Sequence, residues 1–126
     1  LDALSPEEVL KGIAFHFGAS ASEMLVQVAM VINNEKYHNP EVARAYYDCV
    51  VREPADFYER LFRKMAARGM IAPVDERMFA EQYNYVYIAL TKEFFMAKLG
   101  LADRAEVIRY LARTIDFFCA LMKGQG

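Results

Sequence analysis

Apolar side chains recur along most of this chain at intervals of three and four residues, and no segment alternates strictly between hairpin turns. That pattern predicts an all-α domain. Ser5-Pro-Glu-Glu8 supplies an N-cap, a proline at the first helical position and a glutamate three residues after the cap. Val9, Leu10, Ile13, Ala14 and Phe17 then share a face, and Gly18 is the expected stop. A second helix is predicted from Ser20 or Ser22 to Tyr37. Its middle, residues 24–32, is apolar around nearly the whole circumference, as suits a central helix. Asn39-Pro40-Glu41 opens a third, with Val42, Ala45, Tyr46, Cys49 and Val50 as its stripe. Pro54 disfavours the α conformation at Glu53 and removes a backbone donor, so a kink or a fresh start is expected there. Phe57, Tyr58, Leu61, Phe62 and Met65 continue the pattern to Gly69, preceded by Arg63, Lys64 and Arg68 at the negative end of the helix dipole.

Asp75 caps a long helix to Leu99, closed by Gly100, and Asp103 with Glu106 caps the last, which ends near Lys123 and Gly124. This makes a bundle of about five to six helices. The closing two each carry two apolar stripes. In the first of them Phe79, Tyr83, Val86, Tyr87, Leu90 and Phe94 form one, and Tyr85, Ile88, Phe95 and Leu99 another. In the last, Val107, Leu111, Ile115 and Phe118 form one, while Tyr110, Phe117 and Leu121 lie off it. A single core uses one stripe per helix. The surplus predicts a homodimer in which the pair and its copy form a four-helix bundle, with Tyr85, Ile88, Phe95, Tyr110, Phe117 and Leu121 at the seam. A wider internal core is the competing explanation.

Composition narrows the class. With 126 residues the chain is expected to form one domain over 1–126. Apolar residues make up 56%, too many for disorder, and no apolar run reaches the roughly 18 residues of a membrane span. A net charge of -2 offers no footprint for a polyanion, so DNA or RNA binding by these residues alone is not expected. Cys49 and Cys119 have none of the spacings of zinc or redox pairs and are expected to be reduced core fillers. The chain opens on Leu1 without a signal or transit pattern, which points to a piece of a longer cytoplasmic protein.

Candidate chemistry is sparse. Glu35-Lys-Tyr-His38 has the Glu-x-x-His spacing of a di-iron helix, but a second such pair is missing, since Ile13 stands three residues before His16. No nucleophile elbow, phosphate-cradling glycine loop or Cys–His neighbourhood is present, so no catalytic residue, metal or cofactor is assigned. More informative are 17 Phe and Tyr and seven Met spread over the helices. They suit either ordinary packing or an internal cavity with tyrosine hydroxyls as orienting groups. Gln27 and Asn34, seven residues apart on the apolar second helix, add amides that need partners when buried.

Three stretches carry a likeness to a known family. They are the apolar helix running through Asn33-Asn-Glu-Lys-Tyr-His-Asn-Pro-Glu-Val-Ala-Arg-Ala-Tyr-Tyr47, the joint Ala67-Arg-Gly-Met-Ile-Ala-Pro-Val-Asp75, and the closing pair of long helices. Their order resembles the C-terminal domain of the tetracycline-repressor (TetR) family of bacterial transcriptional regulators. The resemblance implies an effector-sensing and dimerisation domain, with DNA bound only through an N-terminal helix-turn-helix unit that nothing between Leu1 and Gly18 resembles. It implies a repressor whose small hydrophobic or aromatic effector sits in a cavity, here expected at Met24, Gln27, Val28, Tyr58, Phe62, Tyr83 and Tyr87. An effector that favours one spacing of the two recognition helices by about 1 to 3 kcal/mol would change operator affinity roughly 5-fold to 150-fold. The alternatives are a helical-bundle metal-binding protein or enzyme using Glu35 and His38, and a helical module that binds another protein.

Overall fold

The computed structural model describes residues 4–20 and 31–124, apart from the side chains of residues 15–20, Phe95 and Lys98. Every regular element among them is helical: α1 (Pro6–Ser20), α2 (Pro40–Tyr46), a π-helical segment (Tyr47–Arg52), α3 (Glu53–Ala67), α4 (Glu76–Lys98) and α5 (Arg104–Met122). Residues 31–35 are helical too, and the chain turns at 36–38 on hydrogen bonds from the His38 and Asn39 amides to the Glu35 carbonyl.

Local chemistry explains the boundaries. Ser5 and Glu8 exchange backbone-to-side-chain hydrogen bonds of 3.2 Å each, a reciprocal capping box. Asn39 Oδ1 accepts from the Glu41 and Val42 amides, Asp75 from Met78 and Asp103 from Ala105. α3 ends on Gly69 at φ +73°, where the Gly69 amide donates to Ala66 and the Met70 amide to Met65. Gly100 at φ +76° closes α4 with the same pair of bonds, to Ala97 and Met96. These are Schellman motifs, which need a left-handed residue that glycine adopts without a Cβ penalty. One expected stop is not used, because α1 continues through Gly18 to Ser20.

α3 packs on α4, α4 on α5, and α1 on α5. The core between them is built from Val9 and Leu10 of α1, Tyr58, Phe62 and Met65 of α3, Tyr83 of α4, and Ile115, Phe118, Cys119 and Met122 of α5. Lys11 pairs with Asp116 at 2.9 Å and Glu7 with Lys123, holding α1 against α5. By contrast, α2 and the π-helical segment contribute no buried residue. The Val42 to Val50 stripe therefore lies outside the core, and Cys49 is exposed rather than packed inside; both cysteines are free thiols. Among the described residues, no helix is long and apolar enough to cross a membrane.

Candidate functional site: a cleft beside a π-helical turn

Pro54 shapes the region. An α-helix would send the residue 54 amide to the Val50 carbonyl, but proline has no N–H and its ring presses on that carbonyl. The chain neither breaks nor restarts. It widens instead into the π form, in which the Glu53 amide reaches Asp48, five residues back. The stranded carbonyls find a donor on another helix: Asn84, only 3% exposed, gives its amide protons to Val50 and Val51, both at 3.1 Å. Asn84 thus fastens α4 to the widened turn.

Beside that fastening lies a cleft of about 630 Å³. Its described walls come from Asn33, from Tyr46 of α2, from Cys49 and Val50 of the π-helical segment, from Glu53, Pro54, Phe57 and Tyr58 of α3, and from Asn84, Tyr87, Ile88, Thr91 and Lys92 of α4. The volume falls within the roughly 300 to 1,000 Å³ of small-molecule sites, and an apolar lining with a few polar groups is their usual makeup. Lys36 lies over the Tyr46 ring at 3.7 Å, fixing the 36–38 turn against α2.

The polar groups of the lining differ in what they have to spend. Thr91 donates its hydroxyl proton to the Tyr87 carbonyl at 2.9 Å, and the Asn84 amide protons are committed as above. Asn33 Oδ1 is buried and meets no hydrogen-bond partner. Burial pushes the Tyr58 and Tyr87 phenols above their ordinary pKa, so both stay neutral at physiological pH. Glu53 and Lys92 contribute one charge of each sign.

Behind the cleft the aromatic residues form a contact series. Tyr58 meets Tyr83 edge-on with centroids 4.9 Å apart, and Tyr83 meets Phe118 of α5 at 5.8 Å. Phe79 also reaches Phe118, at 6.2 Å. Such T-shaped pairs suit the ring quadrupoles.

Of the residues expected to bind an effector, Tyr58 and Tyr87 line the cleft. Phe62 and Tyr83 do not: at 0% and 1% exposure they are core, one layer behind it. Met24, Gln27 and Val28 lie outside the described residues. Asn34 is exposed, and its neighbour Asn33 is the amide at the cleft. Among the expected seam residues, Tyr85, Tyr110, Phe117 and Leu121 are 54%, 55%, 61% and 43% exposed. Ile88 lies in the cleft wall, and the Phe95 side chain lies outside the described set. Glu35, at the end of the 31–35 helical stretch, and His38, in the turn that follows, are both exposed. No group of three His, Cys, Asp or Glu able to hold a metal ion occurs among the described residues.

Asn33, Cys49 and Asn84 are among the cleft residues that sequence reading did not assign to an effector site, as are Glu53, Thr91 and Lys92. Two signals pointed to Asn84: an amide one residue from Tyr83 in the buried stripe of α4, and a proline upstream that had to orphan a carbonyl. No family model, curated protein or solved structure matches the chain.

Proposed function

We propose that this chain is the effector-sensing and dimerisation domain of a bacterial transcriptional repressor, as its resemblance to the tetracycline-repressor family implies. A small hydrophobic or aromatic molecule would occupy the cleft, and DNA would be bound through a separate N-terminal helix-turn-helix domain. The observation that carries this reading is the roughly 630 Å³ cleft, walled mostly by apolar and aromatic side chains. Two further features support it. The Tyr58–Tyr83–Phe118 series joins the cleft to α5, and α5 exposes Tyr110, Phe117 and Leu121 on its outer side. Ligand binding would then shift the balance between dimer geometries, with no bond made or broken.

Cys49 provides the test, because it lines the cleft and is exposed. Cys119 is fully buried, and burial pushes its thiol up to about 12, so it reacts slowly in the native protein. Under native conditions a disulfide reagent such as Ellman's is expected to label one thiol per chain rapidly, and Cys49→Ser to abolish that phase. Saturating 2-naphthol, a small aromatic probe, is expected to slow the Cys49 phase at least several-fold. An unchanged rate across a panel of such aromatics would contradict the proposal.

A further inference from the structure

We propose that the cleft takes an aromatic carboxylate, with the carboxylate at the end where Lys92 and Lys36 stand and the rings between the aromatic walls. The inference rests on reading the cleft as an effector site and names the chemical class that the site would hold.

The placement of charge carries it. Asn84 serves the Val50 and Val51 carbonyls, while Arg77 reaches Asp56 and Glu59. Residue numbers therefore rise from the π-helical segment into α3 as they fall along α4, and the two run antiparallel. Lys92 lies beyond Asn84 on the side of α2, and Glu53 lies the opposite way, towards Arg77. At about 1.5 Å of rise per residue the two charged residues stand roughly 15 Å apart along the helix axes. Exposed charges are largely screened beyond about 8 Å at physiological ionic strength, so each end of the cleft keeps its own sign.

The ends differ in how far their charge is already answered. Glu53 shares the Arg52 guanidinium with Asp48, its main partner, and with Asp56. At the other end Lys36 lies over the ring of Tyr46, a cleft residue, and Lys92 stands in the wall itself. Among the described residues no carboxylate pairs with either lysine, their sequence neighbours Glu35 and Glu93 included. Two cations without a counter-ion at one end of an apolar cleft suit an anion with a flat apolar body. The neutral polar groups do not choose the charge. The Tyr58 and Tyr87 hydroxyls bond no described residue and can give or accept a hydrogen bond, while Asn84 and Thr91 have committed their protons and can only accept. Phe57, Tyr58 and Tyr87 supply the aromatic walls.

Three probes of one shape and different charge separate the possibilities: 2-naphthoate, an anion; 2-naphthamide, neutral; and 2-naphthamidine, a cation. Each would be titrated calorimetrically at pH 7 into wild type, Lys92→Gln, Lys92→Arg, the Lys36→Gln/Lys92→Gln double variant and Glu53→Gln. Wild type is expected to favour naphthoate over naphthamide by about fivefold, the factor that a partly exposed ion pair supplies, and naphthamidine to bind weakest. Lys92→Arg and Glu53→Gln are expected to keep that ratio within about twofold, Lys92→Gln to lower it, and the double variant to bring it to unity. Equal binding of naphthoate and naphthamide by wild type overturns the proposal and leaves the effector-site reading standing, as does a naphthoate preference that survives in the double variant. Naphthamidine binding tightest overturns it too, and makes Glu53 the recognising group. If none of the three binds and none protects Cys49, the effector-site reading falls along with the proposal.

Discussion

Asn84 shows how one side chain can decide the shape of a region. Its two amide protons satisfy the Val50 and Val51 carbonyls at the widened turn, and it lies beside the core stripe of α4 and in the cleft wall. Asn84→Leu keeps the branched shape of the side chain and removes both donors, leaving two carbonyls to find new partners. The expected cost is about 2 kcal/mol of folding stability, measured by urea denaturation with the slope unchanged. Asn84→Asp is expected to cost more at neutral pH, because it faces a carboxylate towards two carbonyl oxygens. Equal stability of wild type and Asn84→Leu would mean that the turn satisfies itself. The two cysteines make a complementary point: their packing, not their sequence spacing, separates an accessible cleft thiol from an inert buried one.

Among elements, α3 and α4 are joined on their outer side by one guanidinium with three carboxylates around it. Arg77 reaches Asp56 at 2.6 Å, Glu59 at 3.1 Å and Glu81 at 3.3 Å. The Arg77 hydrogen bond holds the Asp56 carboxyl below its ordinary 3.8. Glu7, bonded to Lys123 across the α1 to α5 contact, is likewise held below 4.5. A carboxyl with a depressed native pKa stabilises the fold above its unfolded value, and that contribution is lost as pH falls through the native one. Wild type is therefore expected to lose more stability than Arg77→Gln between about pH 5 and about pH 3 in chemical denaturation. Parallel losses would show that the network contributes nothing to acid sensitivity.

The elements also show why the chain was readable in part. Caps at Ser5, Asn39, Asp75 and Asp103 and stops at Gly69 and Gly100 are short-range chemistry, complete within a few residues, and the structure has them where the pattern places them. The consequence of Pro54 was not legible in the same way. Whether a proline breaks a helix or widens it depends on a donor from another helix, here Asn84, 34 residues beyond the Val50 carbonyl that it serves. Gly18 failed as a stop because a glycine ends a helix only where the next turn leaves it, and α1 runs on to Ser20. The cleft was half legible: Tyr58 and Tyr87 belong to it, but Phe62 and Tyr83 share their helix faces and lie one layer deeper. Helical periodicity gives a direction around the axis without giving depth.

For the whole molecule, the question is what the outer faces of α4 and α5 do. Tyr85, Tyr110, Phe117 and Leu121 keep roughly half of their surface exposed, alongside Met96, Leu99 and Ile108. Large contiguous exposed apolar patches mark interaction sites. Ile88 stands in the cleft wall, so the test of self-association belongs to Phe117, whose 61% exposure leaves the fold tolerant of change. Under the proposed homodimer, Phe117→Glu would bury like charges across the twofold and yield monomers by light scattering at micromolar concentration, with helix content retained. A variant that still runs as a dimer places the seam elsewhere.

The cleft is the feature on which the functional reading turns, and filling it is the most direct trial. Ile88→Trp adds an indole to its wall while leaving the core residues behind it in place. Calorimetry with 2-naphthol is expected to give one site per wild-type chain and at least tenfold weaker binding to Ile88→Trp, with both proteins melting cooperatively. Undiminished binding by the filled variant would put the ligand somewhere else and contradict the account.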